Sequence, residues 1–439
     1  MIKRRSRKII LLVFLLIVSI LTASVFLFIR RGTDSRWSEL DPEEKEFLNK
    51  VERKAFEFFW NEADSSTGLI PDRTNSEVCS IASVGFGLSA VCIAEEREWV
   101  SYENAYEWVL RVLNSFYDDP EDPDDFVVDG SHGFFYHFVN SRTGERSGNS
   151  EISLIDTALL AAGVLHAGQH FEGTRVEKLA DGIYRKIEWD WLQSGNCMKV
   201  TPDGVKSRGY DEYILAYILA LGSPTHPISS DCWDGYASGY GWIQEWPQNY
   251  TGGSYLTPRG ERYPLAYLYQ FPACWIDFRG RRDNYANYWQ SGINALKANR
   301  RHCLNWGENH GYSKELWGWT AADGPDGYLG YGEPYDGTLS PSAIGASISF
   351  LPEYAISSLK YIYEEYPKAW KENEYGFVDS FNPSRNWYAS DYIGIDQGNL
   401  VLSIEDFRSG LVWKEFMRIS YVQVAMEKAG FVKVDSNSS

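Results

Sequence analysis

The chain has 439 residues, 44% of them hydrophobic and 15% aromatic, which is enough for one large domain or two ordinary ones and too apolar for disorder over most of its length. A formal net charge of −18 excludes a nucleic-acid partner, which needs a basic face, and weighs against polyanionic polysaccharides such as uronates. A neutral ligand fits best.

The N-terminus, MIKRRSRK, is basic, and Ile9 to Ile29 form an apolar run closed by Arg30 and Arg31. A run of about twenty residues spans a bilayer as a helix, and basic flanks stay on the cytoplasmic side. The run is longer than a signal core and no small-x-small cleavage site follows. An uncleaved membrane anchor over 1–31 is therefore expected, with the body outside the cytoplasm, in a periplasm or on a cell surface. Residues 32–42 read as a linker, 43–430 as the folded domain and 431–439 as a tail. The six cysteines lack Cys-x-x-Cys spacing, so no zinc or redox motif is indicated.

Asp41-Pro42-Glu43-Glu44 opens a helix, with an N-cap acid, proline in the first turn and carboxylates at the positive helix end. Ile81–Ala94 is apolar on nearly all faces, whereas Ser101–Tyr117 carries a single apolar stripe. The couple returns with Ile152–Leu165, apolar all round, and Val176–Trp191, striped. A helix apolar all round is buried, and one with a single stripe covers it. Further helices are expected at Tyr210–Leu221, Asn284–Cys303, Pro341–Glu365, Asn399–Phe407 and Leu411–Ala429. Alternating inner and outer helices numbering roughly a dozen predict an all-α (α/α)6 barrel. His132–Glu145, where Phe134, Tyr136 and Phe138 alternate, predicts a small β-hairpin insertion.

Two long loops, Asp231–Pro264 and Asn305–Gly337, are rich in Trp, Tyr and Gly. Loops of that length in a compact domain are usually functional, and aromatic rings suit the apolar faces of sugars. Tyr136, Trp242, Trp317 and Trp319 are the candidates for that contact.

The chemistry-bearing candidates are carboxylates: Glu151, Asp156, Asp211, Glu212, Asp336, Asp379, Asp396 and Glu405. Tyr210-Asp211-Glu212-Tyr213 stands out, because it sets two acids at the mouth of an otherwise apolar helix, and acids are rarely buried without a partner or a task. Each of the others has a structural reading. Asp156 fits a capping box after Ser153, Asp336 and Asp396 fit turns, and Glu405 fits a buried hydrogen-bonding partner. His166 and His170 have ligand spacing, but no third ligand is evident. No metal or cofactor is expected.

Ten segments, in order from about residue 45 to 427, together resemble the glucoamylase-like family of extracytoplasmic proteins that includes glycoside hydrolase family 144, the β-1,2-glucanases. They include FFWNEADSSTGLIPDR from Phe58, GFFYHFVNSRTGER from Gly133, EISLIDTALLAAG from Glu151, YDEYILAYILALGSPTHP from Tyr210, WGWTAADGPDGY from Trp317, DGTLSPSA from Asp336 and IDQGNLVLSIEDFRSGLVW from Ile395. The resemblance implies an (α/α)6 barrel and a glycosidase of a neutral β-glucan, β-1,2-linked above others. It matches Glu212, Asp396, Glu151 and Asp156 to the family's acids, and this chain has Asp211 where the family often carries Asn. The expectation is hydrolysis by single displacement, with inversion, Glu212 as general acid and Asp396 as base. Glu151 and Asp156 would share the proton relay or, with Asp211, Asp336 and the aromatic rings, bind the oligo- or polysaccharide. A non-catalytic glycan-binding protein at the membrane, and a hydrolase or transglycosylase of another glucan, are the alternatives.

Overall fold

The computed structural model describes residues 35–117, 126–258, 262–330 and 334–434. The expected anchor, Ile9–Ile29, lies outside them; among the described residues no helix is long and apolar enough to cross a membrane.

The chain forms an (α/α)6 barrel, with strands confined to small two-stranded pairings. The inner ring is built from Ile81–Glu96, Leu154–His170, Ile214–Gly222, Tyr267–Ala273, Pro341–Gly345 and Gly394–Arg408. Ile81 to Ala94 are buried without a gap, as are every residue of Ile214–Gly222 and all of Gly394–Arg408 but Ile395. Outside them lie the striped helices Pro42–Glu62, Tyr102–Asn114, Arg175–Lys186, Tyr288–Gly307 and Pro352–Glu365, which bury one face each. Between the third and fourth inner helices the described residues hold one short helix, Asp231–Ala237, and a hairpin in place of a long striped helix. The C-terminal helix Ser420–Lys428 packs on Ile214–Gly222 instead.

Two inner helices meet backbone to backbone. A Cβ on Gly85 would lie 2.2 Å from the Leu159 carbonyl oxygen, and one on Gly163 would lie 2.0 Å from that of Gly85. Glycine at both positions lets the first and second inner helices touch.

Several expected elements are subdivided. Pro341–Glu365 breaks at 346–351 because Pro352 lacks an N–H and starts a new helix. Val176–Trp191 ends at Lys186, with a 3₁₀ turn at Trp189–Leu192, and Leu411–Ala429 divides into Leu411–Phe416 and Ser420–Lys428. The loop from Asp231 folds into a helix and a hairpin, Tyr240–Ile243 with Tyr255–Pro258. In the expected 132–145 hairpin, Phe134–Phe135 pairs with Gly130–Ser131, but Phe138–Asn140 pairs with Val78–Ser80, far upstream. Alternation identifies a strand; it does not name the partner.

Both ends of the described body are docked. Ser35–Glu39 is helical, with Arg36 donating to the Ser349 carbonyl at 3.0 Å. Val432–Lys433 pairs with Arg281–Arg282. All six cysteines are buried thiols.

Candidate active site

The starts of the inner helices converge on one end of the barrel. Ser80, Ser153, Asp156, Glu212, Tyr213, Tyr267 and Asp396 all belong to the first turns of inner helices or the residues just before them, and all line a single cleft of about 630 Å³. Helix N-termini favour negative charge, whereas burial opposes it. The ionisation of each acid is set by which effect wins locally.

Glu212 just precedes the third inner helix. Burial, and then the charge of Asp211, push its carboxyl up to about 8, so it holds a proton at neutral pH. Its neighbour Asp211 turns away from the cleft. It accepts hydrogen bonds from the Tyr236 hydroxyl at 3.0 Å and the Tyr213 N–H at 3.1 Å, yet burial still lifts it to about 7. Of this pair, Glu212 faces the cleft.

Asp396 lies in the first turn of Gly394–Arg408 and is 2% exposed. Ser342 donates to it at 3.2 Å, but burial and the neighbouring Asp379 carboxyl push it well above the ordinary carboxylate range. Asp379, fully buried, accepts the Asp323 N–H at 2.8 Å and is raised by burial to about 7. Two acids crowded in a dry site cannot both ionise readily and titrate as a pair.

The second inner helix begins with Ser153 as N-cap. Its hydroxyl accepts the Asp156 N–H at 3.3 Å and donates to the Asp156 carboxylate at 2.5 Å. Ser153 therefore caps the helix, but the box is not closed, because the Ser153 N–H donates to the Phe135 carbonyl instead of the Asp156 carboxylate, and that carboxylate also borders the cleft. His137 stands between it and Glu151, with Nδ1 3.1 Å from Glu151 and Nε2 3.5 Å from Asp156. On the facing loop, Arg73 bonds both oxygens of Asp323 at 3.1 Å and Asp72 at 3.2 Å. That pins the hairpin Ala322–Leu329, whose Tyr328 reaches the cleft while half its surface faces solvent.

Glu212, Asp396, Glu151 and Asp156 thus meet in one cleft, and the other expected contacts do not line it. Trp317 is fully buried, its indole donating to Ser358 at 2.8 Å. Trp319 is 4% exposed and packs against Tyr263, His302 and Tyr335. Tyr136 lies under the Arg146 guanidinium, Trp242 is exposed on the 240–243 strand, and Asp336 accepts the Thr338 N–H in a turn. The aromatic loops mostly pack back on the barrel. Sequence reading passed over His137, Asp72, Arg73, Tyr213, Tyr267 and Tyr328 as cleft residues; all but Tyr267 fall within segments that carry the family resemblance.

His166 and His170 lie elsewhere. Both contact Glu415, and His170 also contacts Glu95. Glu405 bonds Arg408 and Ser409, and Arg408 also pairs with Glu52 of the first outer helix. These buried polar groups hold the ends of inner helices remote from the cleft.

Comparison with known proteins agrees with this architecture. Residues 205–420 match the model of the family described as "Putative glucoamylase". An exo beta-1,2-glucooligosaccharide sophorohydrolase (non-reducing end) from Parabacteroides distasonis is 27% identical over 89% of this chain. The chain spans 58% of that relative's length. A protein solved under the same glucoamylase description from Bacteroides uniformis has 29% identity and a TM-score of 0.80, covering 90% of this chain and 99% of its own. The endo-beta-1,2-glucanase from Chitinophaga pinensis, solved with sophorotriose and glucose, has 27% identity and a TM-score of 0.79, covering 89% of this chain and 99% of its own. The family model over 205–420 and this likeness along nine-tenths of its length make the chain similar to the glucoamylase-like proteins.

Proposed function

We propose that the chain hydrolyses a neutral β-glucan, β-1,2-linked above others, by carboxylate acid and base catalysis. The observation that carries this reading is Glu212: a cleft-lining acid, held protonated to about pH 8 by burial and Asp211. A carboxylic acid kept neutral at neutral pH can donate its proton to a leaving glycosidic oxygen. Asp396, from a different inner helix of the same cleft, is the base. It shares a buried site with Asp379, and once the pair has lost one proton the remaining charge draws a proton from the attacking water. Single displacement by water inverts the anomeric centre.

The relatives named above support the substrate class, and the net charge of −18 favours an uncharged chain of sugars over a polyanion. The basic, apolar N-terminus fits attachment to a membrane with the barrel outside the cytoplasm. Domain limits of 43–430 for the catalytic unit belong to the same reading.

Glu212→Gln tests the assignment. It keeps shape and hydrogen bonding but has no proton to give, so turnover of linear β-1,2-glucan is expected to fall about 10²–10⁴-fold or more, with oligosaccharide binding by calorimetry retained. Turnover within a few-fold of the parent removes Glu212 from the mechanism.

A further inference from the structure

Outside the acid and base just assigned, the cleft holds a cation that the proposed chemistry does not use. His137 lies between two segments that begin the inner ring. Its carbonyl accepts the Ile81 N–H at 3.2 Å and its N–H donates to the Glu151 carbonyl at 2.9 Å, so the backbone fixes the ring's position on both sides. The ring then meets a carboxylate at each nitrogen: Nδ1 is 3.1 Å from Glu151, a hydrogen bond, and Nε2 is 3.5 Å from Asp156, an ion-pair separation. A neutral imidazole offers one N–H and one lone pair, and a lone pair aimed at a carboxylate is repulsive. Only the doubly protonated ring satisfies both neighbours.

We propose that His137 is a positioning residue: as an imidazolium it clamps Glu151 and Asp156 as ionised acceptors, so that this wall of the cleft binds sugar hydroxyls and gives up no proton. The proposal rests on the glucan-hydrolase reading and deepens it by dividing the four cleft acids into two kinds. Glu212 and Asp396 hold or move protons. Glu151 and Asp156 hold the substrate.

The surrounding charges agree. Facing the ring are Glu151 and Asp156 from the start of the second inner helix, and Asp72 with Arg73 from the 71–74 loop; Glu212 stands near Asp156. Burial opposes the charge on His137, but Asp156, the Glu151 hydrogen bond and Asp72 outweigh it and raise the ring to about 9. The same hydrogen bond holds Glu151 below the ordinary carboxylate range. Ionised carboxylates take hydroxyl donors more strongly than neutral acids do.

The direct test is an imidazole titration of the full chain by long-range ¹H–¹⁵N correlation, with the His137 signal identified by its loss in His137→Asn. A ring doubly protonated throughout the neutral range is expected. In parallel, KM of the parent for linear β-1,2-glucan is expected to rise above about pH 9, and His137→Asn is expected to raise KM roughly tenfold at neutral pH, with a smaller change in kcat, and to flatten that rise. A His137 ring that carries one proton at neutral pH overturns the proposal, as does a folded His137→Asn variant with the parent's KM at every pH. The titration needs no substrate, so a parent chain inactive on every glucan sinks the hydrolase reading while the titration still decides the clamp.

Discussion

Asp211 and Glu212 are neighbours in sequence with opposite environments. Asp211 is gripped by Tyr236 and by the Tyr213 N–H, whereas Glu212 opens onto the cleft. The acidity of Glu212 therefore depends partly on a charge behind it. On the proposed assignment Glu212 donates its proton, so activity is expected below its folded pKa and is expected to be lost as pH rises through it. Asp211→Asn removes a charge that raises that pKa and is expected to move the alkaline limb of kcat/KM to lower pH; an unmoved limb would show that burial alone sets it. The sequence made the pair conspicuous, because two acids at the mouth of an apolar helix need an explanation. It could not say which one faces the cleft, since that choice is made by Tyr236, a long-range contact. His137 was hidden for a similar reason: a lone histidine among alternating aromatics reads as strand filler until its two carboxylate partners are brought to it.

Among the elements, the all-round apolar helices were legible as an inner ring because 3.6-residue periodicity disappears when every face is buried. The short inner helix Tyr267–Ala273 was not, since seven residues hold too few turns to show any period, and Pro341–Gly345 was read as one helix with the outer Pro352–Glu365. The aromatic loops misled for a physical reason. Trp317 and Trp319 lie in a segment long enough to be functional, yet large rings gain more by burial against the barrel than by waiting in solvent. Helix contact depends on glycine where backbones touch. Gly85→Ala sets a methyl group 2.2 Å from the Leu159 carbonyl oxygen, and is expected to destabilise the fold by about 1–3 kcal/mol, read as a lower denaturant midpoint. An unchanged midpoint would mean that the two inner helices separate without cost.

For the whole molecule, the barrel stores acids at the end where its inner helices start. Asp211, Glu212 and Asp379 are lifted to about 7, 8 and 7. An acid whose folded pKa is raised binds its proton more tightly when folded, so the stability it gives is fully present below its unfolded value and is lost as pH rises through the folded one. His137, raised to about 9, acts in the same direction. Glu415, lowered by its histidines to about 2, acts oppositely, and its contribution is lost only as pH falls through that value. The melting temperature is therefore expected to be higher at about pH 5.5 than at about pH 8.5, and Glu212→Gln is expected to narrow the gap by calorimetry. A melting temperature that climbs across this interval would contradict the assigned protonation.

The most direct test of the central claim incubates the full chain with linear β-1,2-glucan and, in parallel, with β-1,3-, β-1,4- and α-1,4-glucans, separating the products by size. Release of sophorose or longer oligosaccharides from the β-1,2 polymer alone, abolished in Glu212→Gln, is the predicted result. No product from any glucan, or equal release from the other linkages, would contradict it.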